Sequence, residues 1–349
     1  MNFIEKISQG FELDVFFVVV LTSLCLSALG IFLILKKLSM VIDAISHSVL
    51  LGIVLGFLVV KKLDDPLLMI GAVLIGLLTF YCIQFLQKHK QINKDSAIGI
   101  VFTTFFAIAI ILISTFTRDV HIDNDAVFTG NIELVTFDKL KRILPILIIN
   151  ILFVLVFYKE LKIFIFDPAL ATILGFSITL INYLLMSLVS ITAVVSFDVV
   201  GSVMTIACFI GPATTALLLT KNLFHGFLLS LWFSFISSSC GYYLAIIFDA
   251  PISGMIAIVI LVIFLLVLYF NPVNGILVKI IVNYSKKQKF DLLEKPIYFI
   301  EEIAKDLKWP TKYSQKICNK IIENGYVEKN KKNNFVLTEL GKQIVDENF

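Results

Sequence analysis

Nine apolar runs, each about as long as a bilayer's hydrocarbon core requires of a helix, dominate this chain and leave it little choice of fold. They cover Asp14–Leu35, Met40–Val60, Pro66–Leu86, Ala97–Thr115, Ile143–Tyr158, Ala171–Val195, Val199–Thr220, Phe224–Phe248 and Ile252–Phe270. The crossings number nine, or eight if one run is re-entrant. In lipid every backbone N–H and C=O must find a partner within the protein, so apolar runs of this length predict helices. The expected fold is an all-α polytopic membrane protein of about 8–9 transmembrane helices, followed by a small cytoplasmic winged-helix-like α+β domain. Composition agrees: 58% of the 349 residues are hydrophobic and only 16% charged, against roughly 25% charged in an ordinary soluble domain.

The charges are segregated. Residues 286–349 hold 13 lysines and 10 acidic residues, 23 of the 55 charges in the chain. This places a membrane domain at 1–284 and a polar domain at 285–349. Within the polar part, Pro296–Leu307 and Thr311–Val327 have helical periodicity, Gly325 is a helix-stop residue, and FVLT precedes a last helix. That order resembles a winged helix. Lys312, Lys316 and Lys320 recur every fourth residue on its second helix and form a candidate face for DNA or a protein partner. The segment contains no arginine, the commonest base reader, so nucleic acid is the less favoured partner.

Orientation follows from the basic residues of the short loops. Lys36 and Lys37, Lys88 to Lys94, Lys159 and Lys162, Lys221, and Lys279 to Lys289 fall on one side if the runs alternate. That side is expected to be cytoplasmic, with the C-terminal domain on it and the protein in a bacterial cytoplasmic (inner) membrane. The acidic residues Glu5, Glu12 and Asp14 precede the first run where a cleaved signal would carry basic ones, so this run is expected to remain as a span. Cys25, Cys82, Cys208, Cys240 and Cys318 lack metal-site spacing. An acidic segment with Asp119, His121, Asp123 and Asp125 lies on the opposite side and reads as a solvated loop.

One pair of side chains stands out. Asp43 and His47 are four residues apart in VIDAISHSVLL, on one face of a helix and one turn apart. They are either a polar cap beside Lys36, Lys37 and Ser39, or a device. An ionised aspartate near the bilayer centre costs about 3 kcal/mol, and intramembrane ionisable residues mark function by default. A dication would neutralise the carboxylate and take the imidazole. This donor set suits manganese, iron or zinc rather than Cu(I). Two ligands are too few, so other residues or a second subunit must complete the shell.

The run KKLSMVIDAISHSVLLGIVLG (Lys36–Gly56) resembles the signature of the ABC-3 permeases, the membrane subunits of manganese, zinc and iron ABC importers; Ile42 and Leu51 depart from it. Four further stretches are similar to that family in the same order. They are FTGNIELVTFDKL (Phe128–Leu140, departing at Thr129 and Glu133), DPALATILGF (Asp167–Phe176), VSFDVVGSVMTIACFIGPATTALLLT (Val195–Thr220, departing at Thr215) and IFDAPISG (Ile247–Gly254).

The resemblance implies a transporter subunit, not an enzyme. An external metal-binding lipoprotein would deliver the metal to a dimer with a second permease copy or a paralogue, driven by a separate ABC ATPase. Asp43 and His47 become ligands in the path, with no tightly bound cofactor. Asp167, Pro168, Ala169 and Gly175 mark the coupling loop to the ATPase. No GxxxxGK[ST] phosphate loop occurs in the chain, so ATP is used by a partner. Gly211 and Pro212 interrupt a span and form a candidate gating kink. The alternative class is a membrane-tethered, metal-responsive transcription regulator that binds DNA through the C-terminal domain.

Overall fold

The computed structural model describes residues 12–61, 65–89, 91–116 and 137–271, with short pieces of the C-terminal region, chiefly 322–329 and 335–338. The chain divides into two compact units, Met1–Gly275 and Ile276–Phe349.

The first unit is helical throughout its described residues. Its elements are α1 (Leu13–Leu35), α2 (Met40–Val60), α3 (Pro66–Gln87), α4 (Lys94–Phe116), α5 (Phe137–Val156), α6 (Tyr158–Phe166), α7 (Pro168–Ile173), α8 (Ile178–Leu219), α9 (Leu223–Phe248) and α10 (Ile252–Phe270). Their starts are set by short polar side chains that take up first-turn amides. The Asp65 carboxylate accepts from the Leu67 amide at 2.9 Å, with Pro66 in the first turn. The Asn222 side chain accepts from the Phe224 amide at 3.1 Å. Left-handed residues end α2 at Lys61 (φ 57°) and α9 at Asp249 (φ 54°).

Helix α1 is the central post. Val19, Leu26, Ala28, Leu29, Ile31, Phe32 and Leu33 are fully buried, and α5, α8 and α9 contact it. On the α9 side the contact is polar and close: Ser23 Oγ lies 2.5 Å from Ser234 Oγ, and Ser230 donates to the Ser27 carbonyl at 3.3 Å. On the α5 side the Asn150 amide donates to Thr192 Oγ1 at 2.9 Å and to Cys25 Sγ at 3.2 Å, tying three helices together. Small residues and interhelical hydrogen bonds replace the hydrophobic drive that lipid cannot supply between helices.

Helices α2 and α3 form the tightest pair. Gly52 and Gly56 are spaced GxxxG and face Gly71. A Cβ on Gly52 would lie 2.4 Å from the Gly71 carbonyl oxygen and 2.6 Å from Ala72 Cα. Backbone cannot yield as a flexible side chain can. Gly52→Val is therefore expected to destabilise the fold by at least about 1–3 kcal/mol, the usual cost of overpacking. Thermal unfolding of the purified protein in detergent checks this, and an unchanged melting point would refute the close approach.

Seven helices among the described residues are long and apolar enough to cross a membrane, or eight if the pair Lys139–Val156 and Tyr158–Phe166, bent by 70°, counts as one broken span. Helix α8 has 42 residues. Straight, it would be about 63 Å long, twice the hydrocarbon thickness. Contacts show that it doubles back. Lys36, at the end of α1, donates to Asn182 near the start of α8 and lies 3.7 Å from the Phe164 ring centroid of α6. Phe164 therefore shares the side of Lys36, and α5 begins on the other side. There Lys139 donates to the Asp198 carbonyl at 3.2 Å, so the middle of α8 lies on that far side. The Tyr242 hydroxyl of α9 bonds the backbone of Glu12 at the start of α1, which places the end of α10 back with Lys36. Asn271, capping α10, donates to the Leu218 carbonyl at the end of α8.

Both ends of α8 thus lie on one side and its middle on the other. The reversal is at Gly201, whose φ of 79° and ψ of 170° are the only non-helical backbone angles inside α8. The described residues thus hold seven to eight candidate membrane spans, one of which, α8, folds back on itself at Gly201. The run expected at Ala171–Val195 instead begins at Ile178, after the separate helix α7, and the boundary between the two runs moves to Gly201.

In the second unit the described residues include an antiparallel strand pair, β1 (Val327–Lys329) and β2 (Phe335–Leu337), in the register Val327↔Leu337. Gly325 takes a positive φ of 71° before β1, and its carbonyl accepts from Thr338 Oγ1 at 2.7 Å. Most of the expected helices of this unit lie outside the described residues. The winged-helix assignment is not shown by the strand pair alone.

Candidate functional site

Asp43 and His47 lie in the first two turns of α2. The helix N-terminus favours the carboxylate. The opposite face of α2 packs into the core through Ile42, Ala44 and Ile45, all at most 1% exposed, which leaves the Asp43/His47 strip as the open face. His47 Nε2 is 3.6 Å from Asp43 Oδ1, and the histidine and aspartate side chains are 29% and 45% exposed. The imidazole is held between two rings of α4, Phe102 at 5.5 Å and Phe106 edge-on at 5.6 Å. A rise of about 1.5 Å per residue puts His47 about 10 Å along α2, a third of the way across the core.

The pair's chemistry fits a dication. The 3.6 Å separation lies within the reach of two bonds of about 2.1 Å to one ion. Among the described residues no group of three or more His, Cys, Asp or Glu side chains is assembled. The pair stands by itself as two donors, partly exposed. A cavity of about 520 Å3 elsewhere, lined by Tyr81, Gln84, Phe85, Thr104, Phe105 and Tyr183, includes neither residue.

The segment from Asp167 to Gly175 forms an elbow between α5 and α8. Asp167 Oδ1 accepts from the Leu170 amide at 3.0 Å, Pro168 opens the short helix α7, and Gly175 ends it with φ 81°. Asp167, Pro168, Ala169 and Gly175 are all exposed. Sequence reading did not single out Leu170, Ile173 and Leu174, which are 42%, 81% and 53% exposed and make the elbow's outer face apolar. The signal was present as apolar residues on both sides of a six-residue helix too short to bury them.

Gly211 and Pro212 fall within helical backbone of α8, ten residues beyond the reversal at Gly201. A Cβ on Gly211 would sit 2.0 Å from Ile260 Cγ2, so this glycine serves the close approach of α10. Lys316 and Lys320 are exposed, while Lys312 lies outside the described residues, as do Asp119, His121, Asp123 and Asp125. Asp198, read as a span-end charge, is 3.6 Å from Arg142 with both side chains at least half exposed. Asp198→Asn is expected to change stability by less than about 1 kcal/mol, as for exposed pairs in general; the melting point checks it.

Residues 9–271 match the ABC 3 transport family. The chain belongs to this family. Its relatives include a zinc transport system membrane protein, TroD, of Treponema pallidum, 35% identical over 342 residues and covering 91% of this chain and 93% of the relative. A manganese transport system membrane protein, MntD, of Bacillus subtilis is 37% identical over 283 residues, covering 78% of this chain and 96% of the relative. Among solved structures, PsaBC from Streptococcus pneumoniae in complex with Fab matches with a TM-score of 0.66 at 30% identity, covering 77% of this chain and 95% of that one. This ABC-3 permease is thus a multi-pass membrane transport subunit rather than an enzyme. The T. pallidum relative, matching 91% of this chain, extends past residue 271, whereas the B. subtilis relative matches 78% of this chain over 96% of its own length.

Proposed function

We propose that this chain is the membrane-spanning permease of an ATP-driven importer for a divalent transition metal, manganese, zinc or iron. The carrying observation is the Asp43/His47 pair, 3.6 Å apart on the open face of α2, in a family member whose relatives bear the names of zinc and manganese systems. Half a shell facing outward is what a dimer completes. Two copies, or this chain and a paralogue, would bring two carboxylates and two imidazoles to one ion. The lysine-rich side is cytoplasmic by the positive-inside rule. The elbow lies on that side, and its apolar outer face is the surface for the ATPase. Metal would arrive from an external lipoprotein.

The test is reconstitution of the complex with its ATPase and binding lipoprotein in vesicles, with uptake of Mn2+, Zn2+ and Fe2+ measured with and without ATP. ATP-dependent accumulation of one of them is expected; none for all three would overturn the reading.

The C-terminal region, cytoplasmic in this reading, is an accessory to transport. A chain truncated after Gly275 is expected to retain uptake within about threefold, since the B. subtilis relative is nearly complete without that region. Loss of uptake in a truncated but assembled complex would give the region an essential part. The regulator reading is not favoured, and a gel shift of the full-length protein in detergent with its own upstream DNA is expected to show no retardation.

A further inference from the structure

We propose that Lys36 is the joint that passes motion of the cytoplasmic elbow to the helix carrying Asp43 and His47. The inference rests on the permease reading above and names a positioning residue within it.

Lys36 caps the C-terminus of α1, seven residues before Asp43. Its side chain spans three elements. The ammonium lies 3.7 Å from the centroid of the Phe164 ring on α6 and donates to Asn182 Oδ1 on α8. Phe164 and Leu161 are the buried residues of α6, so Lys36 grips the inner face of α6, the helix that leads directly into the elbow at Asp167, while Phe166, Leu170, Ile173 and Leu174 stay exposed.

The turn from Lys36 to α2 is stiff. The amides of Lys36, Lys37, Leu38 and Val41 donate to the carbonyls of Phe32, Ile34, Leu33 and Leu38. Leu38, Val41 and Ile42 are buried. A pull on Lys36 is therefore handed to the first turn of α2 rather than lost in a flexible loop.

Stability alone does not explain a lysine here. Among the described residues no carboxylate pairs with it, and burial, with the nearby charge of Lys94 adding to it, pushes its pKa down to about 7. A methionine would fill the same space without the desolvation cost. What the ammonium adds is a directional attraction to a ring face and an amide oxygen. Such contacts can break and re-form as the elbow shifts, without stranding a buried counter-charge.

The experiment uses the full complex in vesicles, with Zn2+, Mn2+ and Fe2+ as probes, and measures cation accumulated per ATP hydrolysed. Lys36→Met and Phe164→Leu are expected to keep hydrolysis within about twofold but lower the cation-to-ATP ratio about tenfold, within the usual range of coupling between sites. Lys36→Arg, which keeps a cation able to stack on the ring, is expected to retain at least about half the ratio. An unchanged ratio in Lys36→Met, or a loss in Lys36→Arg equal to that in Lys36→Met, overturns the joint. If Lys36→Met does not assemble, Phe164→Leu decides by the same ratio. A wild-type complex that carries none of Mn2+, Zn2+ and Fe2+ overturns the importer reading, and the joint with it.

Discussion

Asp43→Ala and His47→Ala are each expected to lower metal uptake at least about a hundredfold while the complex still assembles. Loss of a residue that merely supports a metal ligand costs about 10–100-fold, and loss of a ligand should cost no less. The effect is larger still if, as proposed, two copies share the ion, since each alanine in a homodimer would then remove two ligands from a shell of four. Stability should hardly move. The 3.6 Å pair is partly exposed, and contacts of this kind contribute less than about 1 kcal/mol. Uptake of radiolabelled Mn2+ or Zn2+ in vesicles, beside a melting curve of the same preparation, separates the two effects. Normal uptake in both variants would remove the pair from the path.

Gly201→Ala is the other large expected effect, and it acts on the fold. At φ 79° and ψ 170° the backbone at Gly201 occupies a region essentially closed to residues with a Cβ. The strain itself is of order 1–3 kcal/mol. The greater consequence is topological: two helical segments meet at this residue, and both halves of α8 are packed. Val199 and Val200 before the reversal, and Met204, Cys208 and Phe209 after it, are fully buried. An alanine that straightens the reversal withdraws one half from its site beside α1. Folded protein recovered from the membrane should fall severalfold, and the remainder should melt earlier. Pro212→Ala is the control, because helical backbone surrounds that position. Equal losses in both would contradict the placement of the reversal at Gly201.

Much of the membrane unit was legible from hydropathy. The expected spans Met40–Val60 and Ile252–Phe270 coincide with α2 and α10, because a bilayer-length apolar run has no other way to satisfy its backbone. The division of α8 was legible as two runs but misplaced by a few residues. Nothing in VSFDVVGSV marks the break except a glycine, and glycines are equally common at helix contacts such as Gly30 and Gly211. Gly52 and Gly56 were read as part of a family signature, and only the approach of Gly71 reveals the contact they serve.

The candidate site divides along the same line. The four-residue spacing of Asp43 and His47, and their chemistry, belong to the sequence alone, since an α-helix puts such residues on one face whatever surrounds it. The sequence also determined the helical class and the lysine-rich side, because these depend on local composition and on the lipid. Tertiary structure decided which face of α2 stays open, that Phe102 and Phe106 hold His47, that no third ligand joins the pair among the described residues, and that Lys36 reaches Phe164 of α6 and the foot of α8. Those facts depend on which helices come alongside one another at a few ångströms, and no one-dimensional pattern of hydropathy carries that distance.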